Sequence, residues 1–128
     1  MSETPSRRVR FVLGLGGLVA TAAGLDTAIR GARSIIGEPL ASARLESELR
    51  FYAGIYVAYG AALLRAARRA DTDAAEVASL ATALFAGGAA RAVGWARAGR
   101  PHPGQIALLA IELAGPPALV IAQRRTQR

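Results

Sequence analysis

Long stretches without charge alternate along this chain with short clusters of arginine, aspartate and glutamate. Residues 11–25 carry no charge, nor do 51–64 and 77–90, and 104–123 holds a single ionisable side chain, Glu112. Wound at 3.6 residues per turn, these stretches present apolar or small residues on every side, whereas a helix at the surface of a water-soluble protein keeps a polar face. None of the uncharged runs reaches eighteen residues, the length at which a run alone identifies a span. The missing polar face therefore carries the membrane reading, against a soluble helical bundle as the competing one. The pattern predicts an all-α fold, an integral membrane four-helix bundle with both termini cytoplasmic. It forms a single domain over 1–128, with spans at about 9–29, 48–66, 75–97 and 104–123.

The punctuation between the stretches fits that division. Arg7, Arg8 and Arg10 precede the first apolar run, and Ala20, Thr21 and Ala22 imitate a small-residue cleavage site; the segment is read as a retained span rather than a secretory signal. Residues 31–46 mix glycine, proline and charge, which predicts a connecting loop, with a short interfacial helix at about 41–48. Asp73 with Glu76 three residues on is a capping-box-like start for the third helix. Pro101 and Pro103 around His102 reverse the chain before the fourth. Gly115, Pro116 and Pro117 are expected to break that helix just after Glu112, leaving a carbonyl oxygen free beside the carboxylate.

Composition and charge narrow the classes. The chain has 128 residues, 52% of them hydrophobic, and a formal charge of +7. All sixteen basic residues are arginine, scattered in small groups between apolar runs rather than gathered in a stripe, so no nucleic acid is expected as a partner. With the N-terminus inside, nine arginines flank the cytoplasmic ends of the spans and six the opposite ends, which agrees with cytoplasmic termini. Without cysteine, and with one histidine, the chain offers no disulfide framework, no thiolate metal site and no serine–histidine triad. Neither a metal nor a cofactor is expected, and catalysis is left open, with the weight against it.

Arg91 and Glu112 are the ionisable residues deep within predicted spans. Counted along their helices, both lie about 9–10 Å from the same membrane surface. A lone charge there costs about 2.5–3.5 kcal/mol, while contact at about 4 Å returns about 4 kcal/mol at an effective dielectric of 20. The two are therefore expected to pair. Gly87, Gly88 and Gly94 stand three or four residues from Arg91, so this small face is expected to turn into the bundle. A polar cluster of Arg91, Glu112, Asp26, Glu48, Arg50, Tyr52 and Tyr56 is the candidate site, either ligand-binding or purely structural. Asp26–Arg30, Arg44–Glu48 and Glu46–Arg50 are each spaced by four residues and can equally be local helix pairs. Tyr52, Tyr56 and Tyr59 share one helix face.

Four groups of residues together resemble a small bacterial membrane family, domain of unknown function 4345. They are Glu48, Arg50, Phe51, Tyr52 and Tyr56; Gly87, Gly88 and Arg91; Gly99, Arg100, Pro101, His102 and Pro103; and Glu112, Gly115, Pro116 and Pro117. The resemblance implies four helical spans and supplies no activity. More distantly the layout is similar to DoxX-like and sterol-isomerase-like four-span bundles, which speaks to fold alone.

Small size and glycine- and alanine-rich spans predict a non-catalytic accessory subunit, multi-pass in the bacterial inner membrane. It would sit among membrane lipids against a larger polytopic membrane protein or complex, an envelope lipid transporter being the expected partner. Two alternatives stay open: a binder or isomerase of a lipid or sterol-like ligand with a polar cavity at Glu112, and a small multidrug-type exporter.

Overall fold

A computed structural model describes residues 6–35, 41–69 and 73–126. The elements are α1 (Arg7–Arg30), a 3₁₀ turn (Gly31–Ser34), α2 (Ala43–Arg68), α3 (Ala74–Ala98) and α4 (Pro103–Thr126), with no strand among the described residues. The fold is all-α, as the pattern predicts.

Local chemistry sets each boundary. The Ser6 hydroxyl accepts from the Val9 amide at 3.2 Å and opens α1, and Ser42 does the same for Leu45 at the start of α2. Asp73 caps α3 by accepting from the Glu76 amide at 2.7 Å, the expected half of a capping box. Gly99, at φ +95°, ends α3, a conformation that favours glycine. His102 then opens α4: its carbonyl accepts from Gln105 and its Nδ1 from the Gly104 amide.

Three elements differ from the expectation. The interfacial helix at about 41–48 is the start of α2, because nothing between Ala43 and Leu49 stops a helix. Carrying Arg44, Glu46, Glu48 and Arg50 in its first turns and three tyrosines further on, α2 is not among the three segments long and apolar enough to cross a membrane. Those are Arg7–Ser34, Ala74–Ala98 and Pro103–Arg125. Finally, α4 runs without a break through Gly115, Pro116 and Pro117. The prolines remove two N–H donors, but their fixed φ of about −65° is itself helical, and such losses are tolerated in membrane helices packed on protein.

Two compact units account for the described residues: one lies within Phe11–Arg68, and the other holds α3 and α4 with the first turn of α1. In the first, α1 and α2 pack antiparallel with backbones in contact. A Cβ on Gly17 would lie 2.9 Å from the Gly60 carbonyl oxygen, and one on Gly24 would lie 2.9 Å from the Val57 nitrogen. In the second, α3 and α4 form a hairpin closed by residues 99–102, with Gly88 of α3 against Glu112 and Leu113 of α4. Buried positions on α4 are Leu109, Glu112, Pro116 and Gln123, a seven-residue repeat that makes one narrow seam. Only 17% of the apolar window of α3, and of that of α4, is buried, so most of their surface is apolar and open. Phe11, Leu18, Ile29, Phe51 and Ile111 are among the large side chains left outside. In water such a surface would be a liability; in a bilayer it is the solvated state.

Candidate functional site

The polar residues form two sets, one in each unit. In the α3–α4 hairpin, Arg91 lies seven residues before the end of α3 and Glu112 nine after the start of α4. Both are thus about 10–14 Å from the turn along the helix axes. The pairing expected from depth is present. Arg91 Nε donates to Glu112 Oε2 at 2.9 Å and its Nη2 to Oε1 at 3.1 Å, a bidentate arrangement. The Glu112 side chain is 7% exposed and that of Arg91 37%.

Helical phase explains the asymmetry. Gly88 sits about 60° to one side of Arg91 around α3, while Gly87 and Gly94 sit about 40–60° to the other. Gly88 is buried, and a Cβ there would lie 2.8 Å from that of Glu112. Gly87 and Gly94 are exposed, with nothing within 4 Å of a Cβ. Only one flank of the small face therefore packs on α4, contrary to the expectation for Gly87 and Gly94; Arg91, at the boundary, reaches across.

The second set lies where α1 ends and α2 begins. Arg50 Nη1 donates to the carbonyl oxygens of Ala28 and Ile29 at 2.6 and 3.0 Å, which closes two of the acceptors left at the end of α1. Glu46 Oε1 accepts from the Ala32 amide at 3.1 Å, and its Oε2 is 3.4 Å from Arg50 Nη2. The four-residue pair Glu46–Arg50 is thus more than a local one: the two side chains clasp the end of α1 and the 3₁₀ turn. Gly31, at φ +59°, lets the turn lie directly on Glu46. Asp26 pairs locally with Arg30 at 3.4 Å. Glu48 is exposed; Tyr52 packs edge-on against Phe51 at 5.5 Å, and Tyr56 stacks on Tyr59 at 6.2 Å.

Beside the clasp opens a cleft of about 510 Å³ lined by Ile29, Arg30, Arg33, Ala41, Glu46 and Arg50. Sequence reasoning reached Arg50 but assigned Glu46 and Arg33 no place in a site. The signal for Glu46 was present in Gly31 and in the charged first turns of α2, yet a contact fourteen residues distant leaves no periodicity. Among the described residues no three His, Asp or Glu side chains are grouped to hold a metal ion.

A helical membrane protein whose deep charges close on each other, and whose clefted polar set sits at a helix end, is the class these features define. The chain belongs to the DUF4345 family, a domain of unknown function, whose family model matches residues 9–123. No curated protein and no solved structure matches it.

Proposed function

We propose that the protein is a non-catalytic accessory subunit of the bacterial inner membrane, with both termini in the cytoplasm. In this reading it packs against a larger polytopic complex, an envelope lipid transporter being the first candidate. The observation that carries the reading is the open small face of α3. Ala83, Gly87, Ala90 and Gly94 recur at spacings of four, three and four residues, and all four are exposed. In lipid, faces of this kind let another helix approach to backbone contact, and among the described residues nothing lies within 4 Å of a Cβ at Gly87 or Gly94. The α1–α2 pair illustrates the same use of glycine from within: Gly17, Gly24 and Gly60 are already filled by a partner helix.

A ligand cavity at Glu112 has less support, because both carboxylate oxygens are held by Arg91 and Gly88 closes on its Cβ. The exporter reading has less still, since Asp26 is tied to Arg30 at the end of α1.

The test is site-specific photocrosslinking in intact cells from position 87 or 94, with position 88 as the internal control. A single crosslinked polypeptide of defined stoichiometry, lost on Gly87→Leu in a chain that still folds, is expected. Crosslinks to lipid alone from positions 87 and 94 would defeat the proposal.

A further inference from the structure

The cleft at the end of α1 is not accounted for by helix packing, and its chemistry is that of an anion site. Three guanidinium groups, Arg30, Arg33 and Arg50, face one carboxylate, Glu46. Counting Asp26 beside Arg30, three cations meet two anions among the described residues, a local surplus of positive charge. The groups are unequally committed. Arg50 is held by the carbonyls of Ala28 and Ile29, and Glu46 by the Ala32 amide, so these two form the wall. Arg30 gives Nη2 to the Arg33 carbonyl at 2.7 Å, and its Nη1 is a long 3.4 Å from Asp26. The exposed Arg33 guanidinium has no partner among the described residues.

Depth selects the kind of anion. With 24 residues, α1 is about 36 Å long, a little more than the roughly 30 Å of a bilayer's hydrocarbon core. With Arg7, Arg8 and Arg10 at one surface, Arg30 and the cleft fall at the phosphate level of the other. On the hydrocarbon side of the cleft, Leu25 and Ile29 on α1 and Phe51 and Tyr52 on α2 are exposed, as acyl chains would require. We infer that the cleft binds the phosphate of an anionic phospholipid, Arg33 and Arg30 holding the headgroup and the apolar side chains beside them the acyl chains. Planar guanidinium groups match phosphate oxygens two at a time, and basic pockets between membrane helices take up anionic headgroups on this principle. The inference rests on membrane depth and local charge, and it stands whether or not the α3 face has a partner.

The test uses the full chain reconstituted in vesicles of phosphatidylcholine and phosphatidylglycerol in equal parts, released for native mass spectrometry. The wild type is expected to retain phosphatidylglycerol over phosphatidylcholine. Arg33→Gln should lower that retention about five-fold, and Arg30→Gln with Arg33→Gln about twenty-five-fold. Arg33→Lys, which keeps the charge but not the planar fork, should fall between wild type and Arg33→Gln. Arg97→Gln with Arg100→Gln removes the same charge from two other exposed positions and should change nothing. Equal losses from the two double variants, equal retention of both lipids, or displacement by millimolar inorganic phosphate would each overturn the assignment, the last in favour of a soluble phosphate. If the Arg30 variant loses its helical spectrum, Arg33→Gln decides the matter alone, because among the described residues no bond depends on its guanidinium.

Discussion

Glu112→Gln keeps the length of the side chain and removes its charge, leaving Arg91 facing a neutral amide. In the wild type, N–O separations of 2.9 and 3.1 Å correspond to an attraction of about 5–6 kcal/mol at an effective dielectric of 20. Against this stand about 2.5–3.5 kcal/mol for placing each charge within the membrane. The two sides nearly cancel, so the intact pair contributes little net stability. Breaking it is another matter. Arg91, with 37% of its side chain exposed, can bend its stem toward the headgroups, so losing its partner should cost about 2–3 kcal/mol, the lower part of the range. Arg91→Gln strands a carboxylate only 7% exposed, with a loss of about 3 kcal/mol. In the double variant no charge is left to strand, and the total loss should stay near 2 kcal/mol, a coupling of about 3 kcal/mol. Reversible unfolding in mixed micelles, titrated with a denaturing detergent and followed by helical circular dichroism, measures all four corners of the cycle. Losses that add to within about 0.5 kcal/mol would refute the reasoning, because the two side chains would then not meet in the folded protein.

Other substitutions separate glycines that are filled from those that are open. Gly88→Leu should cost about 1–3 kcal/mol in the same titration, since its Cβ would already meet Glu112 and Leu113, whereas Gly87→Leu should be near neutral. Gly60→Ala should destabilise the α1–α2 pair by a similar amount, because the added methyl would lie 2.6 Å from the Thr21 nitrogen and 2.9 Å from the Gly17 carbonyl oxygen. Arg50→Ala unties the end of α1: amides of residues 31–35 should exchange faster with deuterium, while those in the middle of α2 keep their protection.

How much of this was legible before the structure follows from the range of each signal. Periodicity and caps act within a few residues, so four helices, the Asp73 cap and the turn around His102 could be read directly. The Arg91–Glu112 pair is separated by 21 residues, yet it was legible because two lone charges at matching depth have few other ways to be satisfied. The Gly115-Pro116-Pro117 break failed for a different reason: it weighed the lost donors of proline and not its helical φ, and Pro116 lies in the buried seam of α4. The clasp of Glu46 and Arg50 on α1 was hidden because each residue already had a sufficient local explanation, the four-residue pair. Nor could phase alone tell which flank of Arg91 would meet α4, since Gly88 and Gly94 lie at comparable angles from it.

The charges of this chain do two different things, and the difference lies in what surrounds them. Arg91 and Glu112 are joined bidentate, one hydrogen bond to each carboxylate oxygen, with the carboxylate buried; such a pair sets the register of α3 on α4. At the end of α1, three arginines share two carboxylates among the described residues, the ion pairs are long at 3.4 Å, and the exposed Arg33 lines a cleft. Loose, unbalanced charge at headgroup depth responds to what the bilayer supplies, while tight, balanced charge in the hydrocarbon does not. A change in lipid composition should therefore alter the environment of Arg33 and leave the α3–α4 seam as it is. Any regulation of the protein by its membrane would then act through the end of α1 rather than through Glu112.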